Sequence, residues 1–139
     1  MSLINWDENF SIHNEKIDNQ HKRLIAIINQ LHDAIVNGNA KDVLGNIISD
    51  LYDYAKVHFS SEEALFEKYN YSKIEEHKKS HRILCLSVER YQDMFYKNKL
   101  SVNEFANFMA NWLIDHLMVE DREFGQTLKK IEQTQKITR

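Results

Sequence analysis

Residues 57–69 read VHFSSEEALFEKY. Val57, Leu65 and Phe66 belong to a helical apolar pattern, and His58 and Glu62 fall on that same pattern, four residues apart. The run extends backwards through Leu44, Ile47, Ile48, Leu51 and Ala55, mostly at steps of three and four. That spacing is the seam of an amphipathic helix packed among others. A histidine and a glutamate therefore stand where this helix should turn away from water.

Three further segments carry the same seam. The first reads Ile17, His21, Leu24, Ile28, Leu31, Ile35 and stops at Asn37-Gly38-Asn39, where Gly38 can adopt a left-handed cap. The third reads Ile74, His77, His81, Leu84, Val88, Tyr91, Phe95, and Ser72 with Glu75 forms a capping-box pattern at its start. The fourth reads Phe105, Phe108, Met109, Trp112, Leu113, His116, Leu117, Phe124, Leu128, behind a second such pattern at Ser101 and Glu104. The second segment ends near Asn70. Short connections make neighbouring helices antiparallel, so the expected fold is all-α: an up-down-up-down four-helix bundle with an extended N-terminal arm.

Composition agrees. Proline is absent and glycine occurs three times in 139 residues, too few turn formers for a sheet protein. The length suits one domain, 1–139, divided into an arm (1–16), the bundle (17–130) and a polar tail (131–139) that frays or continues the fourth helix. The arm carries Leu3, Ile4, Trp6, Phe10 and Ile12 and is expected to pack on the bundle without forming helix. A net charge of −3 with no basic cluster speaks against nucleic acid. No apolar run spans a membrane and no signal peptide is visible. The single cysteine, Cys85, permits no intrachain disulfide and fits a reducing cytoplasm. The outer helix faces are mixed in charge, which favours a monomer.

His21, His58, Glu62, His77, His81 and His116 all fall on seam positions, and Asp121 follows Leu113 and Leu117 at four-residue steps. Burying one uncompensated charge costs several kcal/mol, and seven would exceed a domain's margin of about 5–15 kcal/mol. A metal centre compensates directly, because it takes neutral imidazoles and carboxylates as ligands. Residues four apart on a helix differ by roughly 40° around its axis, so His58/Glu62 and His77/His81 each reach one centre from consecutive turns. His116 and Asp121 are five apart, roughly 140° around a straight α-helix. Two metals side by side, or a local π-bulge, would accommodate that pair.

Five histidines with two carboxylates are too many ligands for one ion, and they suit iron better than calcium or magnesium, which prefer oxygen. A structural zinc site is commonly closed by cysteines, which Cys85 alone cannot supply. A lone core histidine is more often structural than a ligand, and a lone HxxxH is weak. One contribution from each of four helices is hard to explain that way. His32, on the inner side of the first helix, reads as a hydrogen-bonded core or rim residue, and His13 as a structural or exposed residue of the arm. Cys85 reads as a small buried hydrophobe. Phe59, Phe66, Trp112 and Phe124 read as core that would also keep a metal site dry.

At these residues the chain resembles the hemerythrin family, its bacterial members in particular. The likeness covers nearly the whole sequence: INWDENFSI in the arm, IDNQHKRL with His21, HFSSEE with His58 and Glu62, HKKSH with His77 and His81, and WLIDHLMVED with His116 and Asp121. The resemblance implies a non-haem di-iron centre with an oxo or hydroxo bridge. One iron would take His77, His81 and His116, the other His21 and His58, with Glu62 and Asp121 bridging. The second iron is then one ligand short, and dioxygen would bind there. Trp112, Leu113 and Leu117 would line the dioxygen pocket.

The implied function is reversible dioxygen binding for carriage, storage or delivery, with no catalytic residue and no enzymatic turnover. An O2-consuming enzyme or a signalling protein is the kind of protein partner it would serve. Competing readings are an O2- or redox-sensing domain of a signalling system, and a di-iron oxidase, peroxidase or nitric-oxide-handling protein. Related di-iron oxygenase bundles use more carboxylates and fewer histidines, which leans the reading towards binding. A purely structural bundle is the remaining alternative.

Overall fold

The computed structural model describes residues 4–137; Leu3 of the arm and residues 138 and 139 lie outside them. A single turn of 3-10 helix, Glu8–Phe10, precedes α1 (Glu15–Val36), α2 (Ala40–Lys68), α3 (Ile74–Tyr96) and α4 (Val102–Asp115). Helix α4 runs without a break through a π-helical segment, His116–Asp121, into α5 (Arg122–Ile137). These last three pieces form the fourth rod of the expected bundle, and the described part of the polar tail, to Ile137, continues it. No strand occurs among the described residues. Helix α1 packs on α2 and α4, and α2 on α3. No helix among the described residues is long and apolar enough to cross a membrane.

The three connections end their helices in the same way. Gly38, Asn70 and Asn98 take positive φ values of 78°, 50° and 57°. The N–H of the residue after each donates to the carbonyl five positions back: Asn39 to Ala34 (3.0 Å), Tyr71 to Phe66 (2.9 Å) and Lys99 to Met94 (2.8 Å). This is the Schellman ending, which satisfies carbonyls that the helix leaves unpaired. Glycine supplies it once; asparagine, which tolerates the left-handed region, supplies it twice.

At the helix starts the sequence reading is half right. Ser101 Oγ accepts from the Glu104 N–H at 3.3 Å, as expected. Ser72 does not cap α3; Lys73 holds the cap position and no side chain accepts there. The chain is still leaving the α2 ending at Ser72, with the Ile74 N–H donating to Tyr71 O at 3.3 Å. Helix α1 begins two residues earlier than expected, because Asn14 accepts from the Ile17 N–H at 3.1 Å.

The arm is pinned rather than merely laid on. The Ile4 N–H donates to Asn29 Oδ1 (2.9 Å) while Asn29 Nδ2 donates back to Ile4 O (2.7 Å). Ser11 Oγ and the Ile12 N–H both donate to the Asp18 carboxylate, at 2.5 and 2.9 Å. Ile12 crosses α5 so closely that a Cβ on Gly125 would lie 2.9 Å from Ile12 Cα. The 3-10 turn, which the sequence reading missed, rests against the π-helical segment.

The apolar interior is in two parts. The larger surrounds Leu24, Leu31, Ile48, Leu51, Leu84, Phe105 and Met109; the smaller joins Ile12, Ile17, Phe66, Tyr71, Phe124 and Leu128. The seam positions between them are polar. Val57, assigned by its spacing to the apolar pattern, is 58% exposed and faces water. It shares the outside with Ile83, Leu86, Ile114, Met118 and Val119, so the outer faces are less uniformly charged than the sequence suggests.

Candidate metal centre

All seven seam residues are buried: His21, His58, Glu62, His77, His81, His116 and Asp121 are each at most 3% exposed. They come from α1, α2, α3 and the π-helical segment and meet in one layer between the two apolar clusters. His21, His58, Glu62, His116 and Asp121 each offer a ligand atom, all within 4.8 Å of one another. His77 and His81 complete the layer from α3. His77 Nε2 lies 3.9 Å from Asp121 Oδ1, and His81 Nε2 lies 3.3 Å from Glu62 Oε2.

The two carboxylates are shared. Glu62 Oε1 faces His21 Nε2 (3.0 Å), His116 Nε2 (3.4 Å) and His58 Nε2, while Oε2 faces His81. Asp121 Oδ2 faces His21 Nε2 (2.8 Å) and His116 Nε2 (2.9 Å), while Oδ1 faces His77. Each carboxylate thus turns one oxygen to His21 and the other to α3. Every histidine presents Nε2 to these oxygens.

The π-helical segment makes this arrangement. In an α-helix Asp121 would point well away from His116. A turn closed by an i→i+5 hydrogen bond brings the fifth residue back above the first. Of the two accommodations that the sequence left open for this pair, the bulge is present.

Glu62 Oε1 is within hydrogen-bonding geometry of His21 and His116 Nε2, but much of the remaining proximity is not hydrogen bonding. His58 Nε2, His81 Nε2, Glu62 Oε2 and both Asp121 carboxylate oxygens are buried without a hydrogen-bond partner, close neighbours notwithstanding. Buried polar atoms are normally paired, so a cluster of orphans aimed at a common point calls for a missing partner. Several of these ligand atoms, 2.8–3.4 Å apart, are close enough to share one ion. The donor set fits a metal centre: nitrogen and oxygen atoms, with two anionic groups.

The electrostatics of the layer points the same way. Burial is the largest influence on the His21 imidazole and lowers it, but Asp121 and Glu62 together carry it up to about 9. Burial likewise opposes charge on His116, and the same carboxylates push it well above its ordinary value. Burial keeps His58 and His77 below theirs. Burial works against the Glu62 and Asp121 carboxylates, yet the neighbouring histidines hold both below the usual range. The two carboxylates thus favour positive charge at His21 and His116, as they would favour a cation held between them.

Aromatic rings seal the layer. Phe59 stacks on His81 with centroids 3.9 Å apart, Phe66 on His77 at 4.6 Å and Trp112 on His116 at 4.6 Å. Phe124 meets Phe66 edge-on at 4.6 Å. Leu113 and Leu117 are buried in the larger cluster with half-buried Trp112. Tyr71, its hydroxyl buried without a partner and pushed up to about 12 by burial, closes the other side.

Sequence reasoning missed the residues that hold the histidines from behind. Gln20 Oε1 stands 2.8 Å from His58 Nδ1, Glu63 Oε2 3.4 Å from His81 Nδ1, and Glu120 Oε2 2.8 Å from His116 Nδ1. Each is the chain neighbour of a seam residue. His116 and Glu120, four apart, gave a readable signal; Gln20 and Glu63 gave none. Neither His13, which is exposed, nor His32, which is half-buried, belongs to the cluster. Cys85 is half-buried rather than fully buried, and burial pushes its thiol up.

Comparison with known proteins agrees with this geometry. The family model described as the hemerythrin HHE cation binding domain matches residues 13–128. The chain is similar to the bacteriohemerythrin of Pseudomonas aeruginosa, 32% identical over 129 residues, or 93% of this chain and 84% of the relative. It is also similar to that of Methylococcus capsulatus, 31% identical over 130 residues and covering 92% and 98% of the two chains. The crystal structure of a wild-type hemerythrin superposes with a TM-score of 0.82 at 29% identity, over 90% of this chain and 97% of that one.

Proposed function

Since the chain belongs to the hemerythrin family, we propose that the buried layer holds two iron ions and binds dioxygen reversibly, for carriage, storage or delivery. The observation that carries this reading is the convergence of five Nε2 atoms and two shared carboxylates on one dry layer. The five imidazole rings lie close together, with His116 central among them. His21 and His58 have centroids 4.5 Å apart, and His77, His81 and His116 lie 5.1–6.1 Å from one another. His116 is 6.2 and 6.4 Å from His21 and His58. The family resemblance would give His77, His81 and His116 to one iron and His21 and His58 to the other, with Glu62 and Asp121 shared between them. When bound, the iron pair would supply the electrons that dioxygen binding requires.

The chain does the rest. The π-helical segment orients His116 and Asp121 together. Glu63, Glu120 and Gln20 face the Nδ1 atoms, so each of those imidazoles can keep its proton outside and its lone pair inside. Phe59, Phe66 and Trp112 exclude water from the faces of three ligands. Trp112, Leu113 and Leu117 form the apolar wall on the His116 side, where an uncharged diatomic molecule would be admitted and water refused. In this reading all seven of the layer's histidines and carboxylates serve as ligands, which favours binding over turnover. The reading takes the chain as one domain, monomeric and cytoplasmic.

Anaerobic titration of the metal-free protein with ferrous iron tests it. Two irons per chain, followed by uptake of one dioxygen per pair, is the expected result. Saturation at one iron, or uptake that consumes dioxygen continuously, would contradict it.

A further inference from the structure

The contacts behind the histidines are not equivalent. His81 and His116, both in the three-histidine group, turn Nδ1 to carboxylates, Glu63 and Glu120. His58, in the two-histidine group, turns Nδ1 to a neutral amide. Gln20 is itself a buried polar residue, 9% exposed, and its orientation is set by a third group. The Ser61 hydroxyl donates to the Val57 carbonyl one helical turn back, at 3.1 Å. With its proton committed there, Ser61 Oγ can only accept, and it accepts from Gln20 Nε2 at 3.1 Å. The amide oxygen must therefore face His58, and an amide oxygen can only accept. His58 is left with its proton on Nδ1 and a bare lone pair on Nε2, facing Glu62.

We propose that Gln20, oriented by Ser61, is a positioning residue. It locks His58 in the tautomer that can bind metal, and it does so without adding negative charge beside the two-histidine iron. The inference rests on the metal reading of the layer. A reversed amide would place its NH2 against Nδ1, move the proton to Nε2 and turn a ligand into a donor aimed at Glu62. A carboxylate in place of Gln20 would hold the same tautomer but raise the basicity of the imidazole.

The test uses the whole chain as parent, Gln20→Leu, Gln20→Glu and Ser61→Ala. Nitrogen NMR of the imidazoles in the metal-free proteins reads the His58 tautomer. Competition with a chelator reads zinc(II) affinity, zinc being redox-silent. The parent is expected to carry the His58 proton on Nδ1. In Gln20→Leu the proton should move to Nε2 and zinc affinity fall about 10–100-fold, the usual effect of removing such a partner. Gln20→Glu should restore the tautomer and the affinity, and should lower the midpoint potential of the iron-loaded protein. Ser61→Ala changes only the residue that orients the amide, so it carries the test if Gln20→Leu does not fold; a mixture of tautomers is expected. An unchanged tautomer and unchanged zinc affinity in Gln20→Leu, or in Ser61→Ala standing in for it, would overturn the proposal. A parent that binds no zinc would overturn the metal reading instead, while the metal-free tautomers would still decide the role of Gln20.

Discussion

His116 Nε2 and Asp121 Oδ2 stand 2.9 Å apart although five residues separate them, because the helix that carries both widens to a π turn between them. His58 and Glu62, also on one helix, make their contact at the ordinary spacing of four. The bulge thus absorbs one extra residue without rotating α5 away from its packing.

That geometry makes an unusual prediction about deletions. Removing Val119, which is 62% exposed inside the bulge, leaves four residues from His116 to Asp121 and lets a regular α-helix present both on one face. Removing exposed Ser60 instead rotates Glu62 by roughly 100° relative to His58. Iron stoichiometry should survive the first deletion and collapse in the second. Equal loss in both would show that the bulge does more than keep register.

Stability of the metal-free protein should fall as pH rises from about 6.5 to about 9. The folded-state values of His21 (about 9) and His116 lie above the unfolded value of 6.5. Groups raised in this way stabilise fully below the unfolded value, and their contribution is lost as pH climbs through the folded one. His58 and His77 are lowered, as are the two carboxylates, so their contributions change only below this window. Metal needs deprotonated ligands, so the gap in melting temperature between loaded and metal-free protein should widen over the same range. A gap that narrows would refute the assignment of the buried protons.

Gly125→Ala should destabilise the protein by about 1–3 kcal/mol, because the new methyl meets the backbone of Ile12 rather than a movable side chain. Gly45→Ala meets only the ring of half-buried Phe95, at 3.0 Å, and should cost less. Urea unfolding of the two variants decides the order, and the reverse order would mean that the arm yields more easily than the ring.

Leu113→Asn should speed loss of the dioxygen-bound state by bringing a polar group and water into the wall beside His116, whereas Leu113→Met should not. Autoxidation rates for the two variants and the parent provide the comparison; equal rates would remove Leu113 from the pocket.

Much of this was legible in the spacing of apolar residues, because a seam position is defined by its neighbours on the same face. His21, His58, Glu62, His77 and His81 stand out as exceptions within a regular pattern, and each is buried, as a core-facing position requires. Asp121 was found too, but its five-residue step from His116 left the local helix type open, since a bulge changes no residue's polarity. Ser72 misled because a capping-box pattern specifies a start only where the preceding chain is free to extend, and here it is finishing the α2 ending. Val57 misled because one apolar residue beside a seam is indistinguishable from one within it. Gln20 and Glu63 could not be read, since their role depends on contacts between helices.

The most direct measurement is an optical cycle. The iron-loaded protein is reduced anaerobically, exposed to dioxygen and then purged, while its visible charge-transfer bands are followed. The account predicts bands that appear with dioxygen and vanish on purging, with the reduced state regained over repeated cycles. Bands that never appear, or a single irreversible passage to the oxidised form, would contradict reversible binding and shift the assignment to a redox sensor or an oxidase.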